Sequence, residues 1–241
     1  MSARTVDWTA RSDGTDGEGL GAGEGLGAGE GLRERKKREL RQRLTDTATE
    51  MFLDRGFDAV RVAEIAEACG VSEKTVYNYF PTKEALILDH PDAAADKLRR
   101  GLADFDRTPV EAILTILADE LNAMVGWLSA QPDPAQAAEH VRRFNALIQT
   151  TPALRAHQRD MNEQLIAIAA ETLAKRAAMS AEDPEPQIVA TALLGLWQVQ
   201  FTALRRYLDG TRTPAQLRHA ISAEVQRATG LIVDGVGGFA R

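Results

Sequence analysis

The chain has 241 residues, a net charge of −6 and a single cysteine, with 44% hydrophobic and 27% charged side chains. That length accommodates a small domain beside a larger one, and one cysteine excludes both an intramolecular disulfide and a cysteine-rich zinc module. No run of about eighteen apolar residues reads as a membrane span, and the N-terminus, MSARTVDWTARSDGTDGEG, lacks a signal-peptide core, so a cytoplasmic protein with no membrane partner is expected.

Residues 17–32 repeat the unit GEGLGA. Glycine at every second position opposes a helix, and too few apolar side chains are present to offset the entropy of ordering, which predicts a flexible tail over 1–32. A phosphate-cradling loop needs a strand before it and a helix with Lys and Ser or Thr after it, and this stretch has neither. Residues 33–43, RERKKRELRQR, carry seven basic and two acidic side chains, whereas 84–241 holds sixteen basic against twenty acidic and 1–32 two against six. The charge is polarised. A basic arm of this kind adds phosphate contacts, while an acidic remainder keeps a protein off random polyanions.

ELRQRLTDTATEMFLDRGFDAV follows as an amphipathic helix with Leu40, Leu44, Ala48, Met51 and Phe52 on one face, stopped by Gly56 with Phe57 packed behind it. RVAEIAEACGVSEKTVYNYF, residues 61–80, reads as a helix, a tight turn and a second helix. Val62, Ile65, Ala66 and Cys69 share one face of the first helix, and Gly70 supplies the left-handed backbone that closes it. Ser72 is placed to cap the second helix by accepting from a following amide. Val76 and Phe80, at i and i+4, face inward, which turns Lys74, Thr75, Tyr77, Asn78 and Tyr79 outward as a face suited to a major groove. PTKEAL then begins a fourth helix, interrupted or restarted at His90-Pro91.

From about Arg38 to Leu88 the chain resembles the DNA-binding domain of the TetR family of transcriptional regulators, through MFLDRGF and then VAEIAEACGVSEKTVYNYFPTKEAL without a gap. The resemblance implies that Thr75 and Tyr77 reach base edges or phosphates, that Tyr79 contacts phosphate, that Lys83 holds the DNA backbone and that Phe80 is core. Lys74, Asn78 and the cap residue Ser72 complete the expected DNA-binding set. Family members usually carry Thr before the Val that opens the second helix, and this chain has Arg61, which exchanges a capping hydroxyl for a charge able to neutralise a phosphate.

The rest of the chain stays helical. Thr108-Pro109, Thr151-Pro152 and Thr213-Pro214 each set a capping hydroxyl before a Pro at the first helical position, and Asp183-Pro184 does so with a carboxylate. Helices are predicted over roughly 109–130, 135–149, 152–179, 185–208 and 214–235, and no strand pattern competes. The fold class expected is all-α with about nine helices: the tail over 1–32, a helix-turn-helix domain over 33–92, and a ligand-binding and dimerisation domain over 93–241. Ile188, Ala192, Leu193, Leu196, Trp197, Val199, Gln200, Leu204 and Tyr207 cover more than one stripe of their helix, and Ile221, Val225, Ala228, Ile232 and Val236 form another. This surplus fits the TetR resemblance, which implies a homodimer paired through the last two helices on a palindromic double-stranded operator.

The resemblance also implies a small hydrophobic effector bound among the helices of the larger domain. Its candidate lining is Met124, Trp127, Leu128, Phe144, Leu147, Ile148, Met161, Leu165, Trp197 and Phe201. VRRFNALIQTTPALRAHQRD and the last two helices are similar to the larger domain of actinobacterial regulators, some of which bind acyl-CoA thioesters, the mycofactocin-associated regulators among them. An acyl chain needs such an apolar tunnel, and Arg142, Arg143, Arg155 or Arg159 would meet a carboxylate or phosphate at its mouth. An enzyme is the rival class. His90, His140, His157 and His219 stand at no metal-ligand spacing, and neither Gly-x-Ser-x-Gly nor a P-loop occurs, so no catalytic residue, metal or cofactor is expected. A DNA-binding or interaction module without ligand response is the third reading; it differs in predicting operator binding that no metabolite releases.

Overall fold

The computed structural model describes residues 27–88 and 91–235, and the regular elements among them are all helical. Nine α-helices follow in chain order: α1 Gly27–Arg55, α2 Val62–Ala68, α3 Glu73–Tyr79, α4 Pro91–Ala103, α5 Pro109–Ser129, α6 Pro134–Thr150, α7 Pro152–Ala177, α8 Pro184–Tyr207 and α9 Pro214–Asp234. The chain divides into two compact units. One takes in the described residues of Arg11–Asp89 with Ala146–Arg155, the other those of His90–Asn145 and Ala156–Arg241. The division therefore falls at 89/90 and assigns Ala146–Arg155 to the first unit, where the sequence reading divides at 92/93 and keeps 93–241 together.

In the first unit α1 contributes Leu44, Ala48 and Phe52, and α2 and α3 contribute Val62, Ile65, Ala66 and Val76 to one buried core with Phe57, Val60 and Phe80. Phe52 and Phe57 meet with ring centroids 4.9 Å apart, fixing the turn after Gly56, whose φ is +86°. Phe52 is fully buried. Phe52→Ala is expected to cost about 3–5 kcal/mol of stability, read as a lower urea midpoint; an unchanged midpoint would remove Phe52 from the core.

Two local expectations are corrected. The glycine-rich tail predicted over 1–32 lies outside the described residues as far as 26, but from Gly27 the chain is already helical. Propagation explains this: once buried Leu44, Ala48 and Phe52 hold the helix, each residue added upstream gains a hydrogen bond without a new nucleation cost. PTKEAL, expected to begin the fourth helix, forms only a 3₁₀ turn, Glu84–Leu86, and α4 starts at Pro91, where the sequence expects that helix to be interrupted or restarted. Ala85, Leu86 and Ile87 are buried at that turn.

In the second unit α5 is central. Its Ala112, Ile113, Ile116 and Leu117 join Leu98 and Leu102 of α4, Leu173 of α7 and Leu193, Leu196 and Trp197 of α8 in one apolar cluster. Further along α5, Leu121, Met124, Val125 and Leu128 form a second cluster with Leu204 of α8 and Leu217 and Ile221 of α9. By length and composition α5 and α8 could each cross a bilayer, and these two clusters account for much of their apolar content. Helices α4 and α5 approach so closely that a Cβ at Gly101 would lie 3.2 Å from Ile116 Cδ1. The Arg176 guanidinium of α7 donates to the carbonyls of Leu102, Asp104 and Arg107 at 3.1, 2.7 and 2.6 Å, pinning the α4–α5 connection.

The proline starts follow the sequence. Thr108 Oγ1 accepts from the Glu111 amide at 3.2 Å and Thr213 Oγ1 from the Gln216 amide at 3.3 Å, with Glu111 and Gln216 reaching back to the cap amides. Asp183 differs: its carboxylate accepts from the Ser180 amide at 2.9 Å, so it closes the preceding turn instead of capping α8.

Candidate functional site

The helix-turn-helix is α2, the turn at residues 69–72, and α3. Cys69 closes α2, Gly70 takes a φ of +67°, and the Val71 amide reaches the Ala66 carbonyl at 3.0 Å, the closure that a left-handed glycine permits. Ser72 Oγ then accepts from the Thr75 amide at 3.1 Å and shares a 2.8 Å hydrogen bond with Thr75 Oγ1. The Cys69 thiol is buried and donates to Thr47 Oγ1 at 3.4 Å, so it ties the turn to α1.

With Val76 and Phe80 buried, α3 presents the opposite face. Lys74, Tyr77 and Asn78 are exposed, Tyr77 to 46%, and Thr75 and Tyr79 are half-buried. Ser72 stands exposed at the helix start. Arg61 is exposed and forms the backbone N-cap of α2 without a capping side chain; its amide donates to Glu64 Oε2 at 2.8 Å. That backbone bond and the Arg55 guanidinium, 3.2 Å from both Glu64 oxygens, hold the Glu64 carboxyl below its usual range.

Lys83 is placed differently from a simple phosphate clamp. Its Nζ donates to the Phe57 carbonyl at 2.6 Å and lies 4.3 Å from the Phe57 ring centroid, where desolvation lowers its pKa. One of its three N–H groups is committed to the fold, leaving two for a phosphate.

The basic run divides in the same way. Arg41 donates to the Tyr79 carbonyl at 3.1 Å and stacks 4.6 Å from the Phe80 ring, and Arg43 donates to the Cys69 carbonyl at 3.3 Å. Each guanidinium thus meets a carbonyl at the C-terminal end of α3 or α2, where cations are favoured. Arg33, Arg35, Lys36, Lys37 and Arg38 are exposed along the start of α1. Sequence reasoning missed the capping roles of Arg41 and Arg43, because no local pattern announces a bond across 38 or 26 residues.

In the second unit Met124 and Leu128 are buried, Trp127 packs on the same cluster, Trp197 is buried, and Leu165 and Phe201 pack against the other cluster. Phe144 and Met161 are half-buried. Leu147 and Ile148 fall in the segment that belongs to the first unit. Two of the ten therefore lie in the first unit and eight in the second. A small cavity is present there, about 10 Å³, the room one water needs, and it is lined by Glu120, Leu121, Met124, Gln200, Phe201 and Leu204. Of the sequence candidates it includes Met124 and Phe201. Glu120 and Gln200 are its polar members, and a carboxylate inside an apolar stripe was the signal available for the first.

Glu120 is buried, and burial pushes its carboxyl up from 4.5 to about 7, against the Trp197 hydrogen bond and Lys97, which act in the opposite sense. The unfolded chain loses this proton near 4.5 while the folded chain retains it, so stability should fall as pH rises from 4.5 to about 7 and level off above. The change is on the order of a few kcal/mol. Urea midpoints at the two ends of that range should differ in the wild type and draw together in Glu120→Gln; an equal difference in both would reject the assignment.

On the last two helices, the large apolar residues that project outward are Ile188 and Val189 of α8 and Leu231 and Val233 of α9. Of the apolar surplus read from the sequence, Leu193, Leu196, Trp197, Leu204, Ile221 and Val225 are consumed in the core, and Val236 lies outside the described residues. Ile188 remains exposed, at 69%.

Comparison with known proteins adds to this geometry. Residues 44–89 match the model of bacterial regulatory proteins of the tetR family, and residues 116–229 match the MftR C-terminal domain, together about two thirds of the chain. The transcriptional regulator MftR of Mycobacterium tuberculosis is 28% identical over 153 residues, covering 64% of this chain and 73% of that protein. TcmR of Streptomyces glaucescens, an HTH-type transcriptional regulator, is 30% identical over 153 residues, covering 63% and 66%. Among solved structures, NalD of Pseudomonas aeruginosa aligns at 19% identity with a TM-score of 0.48, over 79% of this chain and 97% of its own. The chain belongs to the TetR family of bacterial regulatory proteins and is a DNA-binding transcriptional regulator, not an enzyme.

Proposed function

We propose that this protein is a cytoplasmic repressor that binds a palindromic operator as a homodimer and leaves it when a small hydrophobic ligand enters the second unit. The observation that carries the DNA reading is the α3 face: Lys74, Tyr77 and Asn78 exposed over buried Val76 and Phe80. Phosphate contacts come from Arg61, Tyr79, the free N–H groups of Lys83 and the exposed basic start of α1, and base contacts from Thr75, Tyr77 and Asn78. Two α3 helices read successive half-sites when their centres stand about 34–36 Å apart, one turn of duplex. The exposed apolar residues of α8 and α9 supply the pairing surface.

Effector entry favours a packing of the second unit in which the paired reading heads lose that spacing, a shift between two states. The tight α4–α5 contact at Gly101 and the Arg176 clamp make α4 respond to displacements of α5. DNase footprinting on the intergenic DNA beside the gene tests the reading. A protected inverted repeat, cleared by a hydrophobic metabolite, is the expected result; protection that no metabolite clears would leave a DNA-binding module without ligand response, and no protection would overturn the operator reading.

A further inference from the structure

The reading helix α3 has seven residues and buries one side chain, Val76. Ser72 fastens its start, where Oγ accepts the Thr75 amide. Its far end is fastened by α1. The last carbonyls of a helix have no intrahelical donor, and two of those in α3 find one elsewhere. The Val76 carbonyl accepts from the Phe80 amide at 2.9 Å, and the carbonyl of Tyr79, the last residue of α3, accepts from Arg41 Nη1 at 3.1 Å. The same guanidinium lies 4.6 Å from the centroid of the buried Phe80 ring. One planar group thus grips the end of α3 twice, by an N–H in its plane and by its face.

Two residues further along α1, Arg43 makes the corresponding bond to the turn. Its Nη2 donates to the Cys69 carbonyl at 3.3 Å, and the Cys69 thiol lies 3.4 Å from Thr47 Oγ1 and 3.8 Å from the Arg43 carbonyl oxygen. The turn before α3 and the end of α3 are therefore both tied to one helix. Tyr77 and Asn78, exposed just before Tyr79, stand at the gripped end. Base readout requires its side chains to be held to about 0.5 Å and 10–20° of their productive geometry. A two-turn helix anchored by a single side chain near its middle can rock about that anchor unless its end is fixed.

Resting on the reading of α3 as the operator-facing helix, we propose that Arg41 is a positioning residue for base readout. By clasping the Tyr79 carbonyl and the Phe80 ring it fixes the angle at which Tyr77 and Asn78 enter the major groove, and it adds sequence specificity with no phosphate contact of its own.

Fluorescence anisotropy across a range of salt tests this with the full-length protein and two duplexes: one enriched by the wild type from random-sequence DNA, and a scrambled duplex of the same composition. Arg41→Lys keeps the charge, but an ammonium cannot donate to the carbonyl and lay a planar face on the ring together. Its affinity for the enriched duplex is expected to fall about tenfold, the loss of one good base contact. Its affinity for scrambled DNA, and the slope of log K against log salt, should stay at the wild-type values. A phosphate contact would behave in the opposite way: Arg41→Lys would preserve it, and Arg41→Ala would weaken both duplexes equally and lower the slope by about 0.9. In a Tyr77→Ala background Arg41→Lys should cost a smaller factor than in the wild type, because a side chain it positions is gone.

A purely structural Arg41 would lower the unfolding midpoint and leave the ratio of enriched to scrambled affinity where it was. That unchanged ratio in Arg41→Lys, or an equal loss on both duplexes with a lowered slope, overturns the proposal. Should Arg41→Ala fail to fold, the ratio and slope of Arg41→Lys decide the question. If the wild type enriches a sequence and Arg41→Lys keeps the ratio, this inference alone falls; if the wild type enriches none, the operator reading falls and takes this inference with it.

Discussion

Replacing Tyr77 by alanine is expected to lower operator affinity by about 10- to 100-fold while leaving thermal unfolding cooperative and near the wild-type midpoint. The magnitude is that of one or two groove contacts, each worth about 1–3 kcal/mol of discrimination. The fold should not change, because Tyr77 is 46% exposed and the core on that helix is made by Val76, fully buried one residue before it. Val76 and Tyr77 are neighbours in sequence and differ by a turn of about 100° around the helix, enough to separate a packing role from a reading role. Tyr77→Phe separates two contributions: if affinity is restored the ring does the work, and if not, the hydroxyl does. Fluorescence anisotropy on the footprinted site and on scrambled DNA measures both. An alanine variant that binds the operator as tightly as the wild type would show that α3 does not face the groove.

If the proposed dimer pairs through this face, placing aspartate at both Ile188 and Val233 is expected to convert it to a monomer at micromolar concentration and, with it, to abolish operator binding. Ile188 and Val233 are 69% and 65% exposed, so neither substitution disturbs the packing within the chain. A two-fold interface presents each introduced carboxylate to the same patch on its partner, so four charges enter one apolar contact. Burying unpaired carboxylates there costs far more than the lost apolar area. Operator binding falls with dimerisation because one reading head engages one half-site, and specific affinity for a palindrome comes from engaging both. Size-exclusion chromatography with light scattering reads the mass, and the same anisotropy assay reads the DNA. A variant that remains dimeric would move the interface off this face of α8 and α9.

Most of the reading head was legible in the sequence because its cues are local. The turn glycine, the Ser72 cap and the spacing of Val76 and Phe80 each act within a few residues, and each occurs where the residue types demand. Helix starts at Pro109, Pro152 and Pro214 are local for the same reason. The fates of Arg41, Arg43 and Lys83 were not legible. A basic side chain near DNA-facing residues has the same composition whether it meets phosphate or a protein carbonyl, and the decision rests on which carbonyl lies within about 3 Å across the fold.

The apolar stripes of the second unit show the same limit. Periodicity marks Leu193, Trp197, Ile221 and Val225 as facing something, but a core, a partner subunit and a ligand all demand the same side chains. Packing assigned these four to the core and left Ile188 and Val233 outside. The sequence alone determined the helical class, the proline-marked helix starts of the second unit and the outward face of α3, because backbone geometry and short-range capping set them. Only the tertiary structure decided which charges remain for DNA and which polar groups meet inside the second unit, because burial and pairing are properties of residues brought together from distant parts of the chain.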